Sequence, residues 1–325
     1  MTPNSATIKR DESRIHVVRE RGGMGDWICI SAALDGLAEK WPRRPITVWG
    51  PAKYRDLILQ GHCDGMDRPN CAWQATDELT LRDRPDAPLR PQFDGTVIDL
   101  NGPCPAKAHE RATAGKPFRS RIELFAEAAG VTAQRPVFSL NPDELTTATS
   151  QRQDLSRSIA IAPHAAAIVR SWPPSHCRML AAHLEQAEIP VLWLDETEDY
   201  IRDLPGLKSW GLSWSELAIT LIRCRCLISV DTGILHLAGA LTVPALGLFG
   251  PTDARLAVNF YPLSAAIQGS RPPGLDCPCH YQNERGFGAL ACGAGEPGCG
   301  SMRSLKPAEV ARALVVTLKN SRLPK

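Results

Sequence analysis

No stretch of this 325-residue chain approaches the roughly 20 consecutive apolar residues that cross a bilayer as a helix. Charge of one sign is missing too: 37 Lys and Arg stand against 35 Asp and Glu, for a formal net charge of +2. That balance excludes the dense basic surface of a nucleic-acid binder. There is no block of like charges to mark a charged tail. The densest basic cluster, Arg111, Lys116, Arg119 and Arg121, reads as a solvated loop. The start of the sequence, MTPNSATIKRDESR, is polar and lacks the apolar core of a secretory signal. Together these absences predict a cytoplasmic protein with no transmembrane segment, whose only membrane contact is peripheral.

Two nucleotide signatures are absent as well. RGGMGD (21–26) follows an apolar run, as a dinucleotide turn would. Its glycines, Gly22, Gly23 and Gly25, do not have the G-x-G-x-x-G spacing. The next strand ends in Trp49, Gly50 and Pro51, with no acid to hold a ribose. No Gly-Lys-Ser/Thr follows, which removes the Walker phosphate loop.

What is present is an ordinary globular composition, 43% hydrophobic and 22% charged, enough for a core in each of two domains. Apolar runs alternate with helical patterns. Strands are expected at 14–20, 45–50, 95–100, 158–163, 189–195, 226–231 and 244–250. Helices are expected at 27–40, 54–60, 121–131, 174–186, 214–224, 234–241 and 306–319. Such alternation implies parallel sheets covered on both faces. The polar segment 141–158 has no apolar period and reads as a linker. The division is therefore 1–150 and 151–325, two doubly wound domains with a cleft between them.

Loops at the carboxyl ends of parallel strands are where such sheets bind ligands. RGGMGD brings Asp26 to the start of a helix; it reads either as an N-cap or as a carboxylate facing the cleft. SVDTGILHLAG (229–239) places Asp231 at a strand end, Thr232 and Gly233 at a helix start, and His236 one turn in. A helix N-terminus suits a phosphate, and Asp231 suits ribose hydroxyls; for His236 alone, a packed core histidine is the plainer reading. GPTD (250–253) turns at the same edge. APHAAAIVRSWP (162–173) adds Arg170, a phosphate partner or a surface arginine.

In order and spacing, RGGMGDWICISAALDGLAEKWP, PHAAAIVRSWPPSHCRMLAAHL and SVDTGILHLAGALTVPALGLFGPTDARL resemble glycosyltransferase family 9, the lipopolysaccharide heptosyltransferases and their autotransporter-modifying relatives. The resemblance implies a GT-B architecture: two Rossmann-like domains with the active site in the cleft between them. It implies inverting, metal-independent transfer of heptose from ADP-heptose to a hydroxyl of a lipopolysaccharide core or a protein. On that reading Asp26 is the general base. Arg170, Asp231, Thr232, Gly233, His236 and Gly25 belong to the donor side. An acid after the strand at 189–195, Glu196 or Glu198, holds the ribose, and Glu198 is carried forward as the donor-binding candidate. The family often has Ser or Thr where this chain has Ala165, Ala166 and Ala167, and Lys where it has Arg170. Two alternatives therefore stay open: a transferase using another nucleotide sugar, and a nucleotide-sugar-binding protein without catalysis.

Of the 11 cysteines, Cys277, Cys279, Cys292 and Cys299 lie close together in a Gly- and Pro-rich segment, 276–302. Structural sites usually open with two to four residues between the first pair, so the single residue between Cys277 and Cys279 is tight. The resemblance adds that protein-modifying relatives carry a cysteine-based metal finger near this position. The expectation is a structural zinc or iron on these four thiolates, with free thiols as the other reading and no cofactor for the transfer step itself.

Overall fold

The computed structural model describes residues 14–59, 71–77, 81, 89, 93–101, 119–138, 140, 143, 146, 154–270 and 298–321. Within them, two parallel sheets form one after the other along the chain.

The first sheet contains β1 (Ile15–Val18), β2 (Ile46–Gly50), β3 (Cys71–Ala75) and β4 (Thr96–Asp99), in the order β3-β2-β1-β4. The fully buried IHVV of β1 makes it the central strand. α1 (Met24–Lys40) leaves its carboxyl end, and the short α2 (Arg55–Leu59) follows β2. α3 (Arg121–Ala129) packs on α1. Ser120 and Glu123 cap α3 reciprocally: Ser120 Oγ accepts from the Glu123 amide at 3.2 Å and Glu123 Oε2 from the Ser120 amide at 2.6 Å. The helix ends at Gly130, whose φ of 65° is left-handed.

The second sheet contains β5 (Ile159–Ala162), β6 (Val191–Asp195), β7 (Leu207–Trp210), β8 (Cys226–Val230), β9 (Ala245–Phe249) and β10 (Ser264–Gln268). Its order, β10-β9-β8-β5-β6-β7, is that of a complete Rossmann sheet. α4 (Pro174–Gln186), α5 (Trp214–Arg223) and α6 (Gly233–Ala240) cover it. The chain closes with α7 (Gly300–Ser304) and α8 (Pro307–Asn320). Val310, Leu314 and Leu318 of α8 join the core that α4 forms on this sheet.

Every strand expected from the apolar runs is present. The sequence reading missed β3, β7 and β10, which are half-exposed and lie at the sheet edges or ends. The 150/151 boundary and most of the linker lie outside the described residues. Upstream of that linker the chain already touches the second half: Arg135 Nη1 donates to Thr242 Oγ1 at 2.8 Å, and the Phe138 amide to the Ala240 carbonyl at 3.2 Å. At the end of β2, a Cβ on Gly50 would run into the ring of buried Trp27.

Candidate active site

The strand order of each sheet reverses once, between β1 and β4 in the first and between β5 and β8 in the second. Crevices outside the carboxyl ends at such points are where open parallel sheets bind ligands. The registers Val18↔Asp99 and Ala162↔Ser229 make those strand ends flush. The helices leaving them, α1 and α6, pack on each other across the two domains. Their contact is backbone on backbone: a Cβ on Gly25 would lie 3.3 Å from Gly233 Cα and 2.9 Å from His236 Cδ2. A Cβ on Gly233 would lie 2.9 Å from the Gly25 amide nitrogen. The two crevices therefore open into one cleft.

Asp26 is not the N-cap or first residue of its helix, as the sequence had suggested. Gly23 is the N-cap and Asp26 sits at the third helical position, with Oδ2 accepting from the Gly23 amide at 3.2 Å. The carboxylate is only 12% exposed and paired twice, Oδ1 with Arg121 Nη1 at 2.6 Å and Oδ2 with Arg19 Nη2 at 3.4 Å. Arg19 is itself held, donating to the Leu100 carbonyl at 2.6 Å and lying over the Phe125 ring. Beside them, at the ends of β1 and β4, Asn101 bridges Glu20 and Asp99: Oδ1 accepts from the Glu20 amide at 2.8 Å, and Nδ2 donates to Asp99 Oδ1 at 2.8 Å.

On the opposite wall, Arg170 Nη1 donates to the Asp231 carbonyl at 2.8 Å and lies 3.4 Å from Asp231 Oδ2. Among the described residues Arg170 Nε, buried, has no hydrogen-bond partner. Burial would push the Asp231 carboxyl up, but the positive charges of Arg170 and Arg121 outweigh it and hold the group below the usual carboxylate range. Thr232 is the N-cap of α6, yet its hydroxyl lies 3.1 Å from Ser229 Oγ and makes no bond to the first-turn amides. Those amides keep their positive dipole end directed at the cleft. His236 is packed, 5% exposed, with Nδ1 3.0 Å from the Tyr261 hydroxyl and 3.7 Å from Cys29 Sγ. Gly25 and His236 thus build the domain contact.

Asp253 of the GPTD turn caps the start of a one-turn helix and pairs with Arg255, the shortest contact being 2.6 Å. Beyond β6, Glu198 lies 3.8 Å from Arg202 in a surface ion pair. The acid at the strand end is Asp195, 3.1 Å from His164 Nδ1, and the His164 ring stacks on Tyr200. Ser171 Oγ turns back on Ala165, accepting from its amide at 3.0 Å. Among the described residues no group of three or more His, Cys, Asp or Glu is placed to hold a metal. Cys277, Cys279 and Cys292 lie outside the described residues; Cys299 is buried at the start of α7.

The sequence reading missed Arg19, Arg121 and the Asn101 bridge, and read Arg121 as part of a solvated loop. One signal was available. Arg121 is the first residue of a helix, where the macrodipole disfavours a cation unless a carboxylate compensates.

Two Rossmann-like domains whose switch points share a cleft define the GT-B class. The chain belongs to glycosyltransferase family 9 (heptosyltransferase), whose family model matches residues 106–272, just over half of it. It is 33% identical over 126 residues to lipopolysaccharide heptosyltransferase 1 of Pseudomonas aeruginosa; the alignment covers 35% of each chain, so only about a third of that curated relative is matched. Two solved structures share the fold over most of the chain. One is the E. coli ADP-heptose lps heptosyltransferase II (TM-score 0.65, 15% identity, covering 95% of this chain and 100% of that one). The other is the iron-containing dodecameric glycosyltransferase TibC from enterotoxigenic E. coli H10407 (TM-score 0.64, 14% identity, 97% and 78%).

Proposed function

We propose that this protein is an inverting glycosyltransferase that moves a sugar from a nucleoside diphosphate to an acceptor hydroxyl, with ADP-heptose as its donor. The observation that carries the reading is the convergence of the Asp26 turn and the Asp231 loop at the Gly25–Gly233 contact. A candidate base and a candidate diphosphate site face each other across one cleft. The printed names of the relatives, a lipopolysaccharide heptosyltransferase and an ADP-heptose heptosyltransferase, support the choice of donor.

In this reading the acceptor oxygen attacks the anomeric carbon from the face opposite the diphosphate. Its proton passes to Asp26 as the new C–O bond forms. The bond from the anomeric carbon to the diphosphate oxygen breaks, and the nucleoside diphosphate leaves with the electron pair. Arg170 and the amides of α6 stabilise the growing negative charge. Asp231 holds ribose hydroxyls. Glu20, Asp99 and Asn101 offer the acceptor sugar a row of hydrogen-bonding groups. The acceptor is a lipopolysaccharide core or a protein, met in the cytoplasm or at the inner face of the membrane. The four clustered cysteines would hold a structural zinc or iron; Cys299, anchored in the second core, would moor the segment 276–302. Four thiolates suit such a metal and close its coordination, and TibC is a relative that contains iron.

The test is calorimetry with ADP-, UDP- and GDP-sugars, followed by turnover with lipopolysaccharide-core and protein acceptors. ADP-heptose is expected to bind selectively. Asp26→Asn is expected to bind donor at least as tightly as the parent while kcat falls on the order of 10²–10⁴-fold, the usual contribution of a general base. An Asp26→Asn enzyme as fast as the parent would remove Asp26 from the chemistry. A second reading, donor binding without transfer, rests on the hydroxyl-free Ala165–Ala167 loop and on Ser171 turning back from the cleft. It predicts binding with no turnover on any acceptor.

A further inference from the structure

Both oxygens of Asp26 are engaged. Oδ2 takes the Gly23 amide and Arg19, and Oδ1 takes Arg121 at 2.6 Å. A general base must offer an oxygen to the acceptor O–H. A carboxylate oxygen in a short charge-assisted contact is a poor one. The clamp therefore has to open on one side before transfer.

The two arginines are not equivalent. Arg19 is 10% exposed and fixed by the Leu100 carbonyl and the Phe125 ring. Arg121 is 30% exposed and opens α3, where the helix dipole disfavours its charge. The Gly25–Gly233 contact sets this ion pair against the donor loop, and the Arg121 charge is felt at both Asp231 and His236. Of the two, Arg121 is placed to change partners.

We propose that Arg121 is a counter-ion latch that holds Asp26 while the cleft is empty and passes to the diphosphate of a bound nucleotide sugar, releasing Asp26 Oδ1 for the acceptor hydroxyl. Arg121 is a positioning residue in this scheme, and the base becomes available only when donor is in place. The inference rests on the transferase reading. The groups near Asp26 are Arg19 at the end of β1, Arg121 on α3, Cys29 on α1 itself, and His236 from the second domain.

The experiment is calorimetric titration of the full chain with ADP. Because donor binding must first break the latch, Asp26→Asn is expected to tighten ADP binding roughly tenfold, as befits one charge-assisted hydrogen bond. Arg121→Gln is expected to weaken it by about as much. The double variant should bind like Arg121→Gln alone, since the gain from Asp26→Asn passes through Arg121. Near-UV circular dichroism checks each fold, and Arg121→Met, which keeps the apolar stem, replaces Arg121→Gln should that variant not fold. A gain that persists without Arg121 would be plain relief of negative charge and would overturn the latch, as would no gain at all. ADP binding by the parent without this coupling sinks the latch and leaves the transferase reading intact. A folded parent that binds no ADP or other nucleoside diphosphate sinks both.

Discussion

His236 stands beside the candidate site and is packed into the fold. Burial pushes its imidazole down to about 4; Asp231 and Asp26 oppose that shift, while Arg121 and Arg170 add to it. The folded state keeps the ring neutral, whereas the unfolded chain takes up a proton near pH 6.5. Stability from this group is therefore complete above about pH 6.5, falls as pH drops toward 4, and is level below, a loss of up to roughly 3 kcal/mol. Urea midpoints of the parent and of His236→Gln, compared from pH 7.5 to 4.5, are expected to show a shallower slope for the variant. Parallel slopes would remove His236 as the source. Arg121 teaches the converse lesson. Its neighbours in sequence make it look like loop charge, and only the carboxylate that meets it, 95 positions upstream, gives it a role.

Among the elements, the contact between α1 and α6 depends on two glycines. Gly233→Ala would place a methyl 2.9 Å from the Gly25 amide nitrogen and from Met24, both on the other domain. Overpacking of this kind costs about 1–3 kcal/mol, and here it would also part the Asp26 turn from the Asp231 loop. Denaturant unfolding is expected to show that loss together with reduced transfer activity. Gly130→Ala is the contrast: the φ of 65° makes alanine cost about 1 kcal/mol, while activity is expected to stay at the parental level. A Gly233→Ala enzyme with parental activity would mean that the helix contact does not set the cleft. The helices and central strands were legible because their periodicity is set by which face is buried. β3, β7 and β10 carry no such pattern, since a strand at a sheet edge is half in water and is defined by the neighbour it pairs with.

For the whole molecule, the cysteine segment is the remaining expectation. Elemental analysis of purified protein is expected to find about one zinc or iron per chain, as four thiolates complete one tetrahedral site. The double variant Cys277→Ser, Cys279→Ser is expected to lose the metal and melt earlier; metal-free parent protein would refute the site. By itself the sequence determined the two doubly wound halves, the family, and the strand-end loops that carry Asp26, Arg170 and Asp231. The halves and the loops follow from local alternation of apolar runs and turns, which one stretch of chain specifies without reference to another; the family follows from motifs that resemble its members and from the match of its model. The tertiary structure alone decided that Gly25 and Gly233 touch and that Asp26 lies between Arg19 and Arg121. Those outcomes depend on how surfaces far apart in sequence pack and which charges they leave facing each other, and no local pattern encodes that.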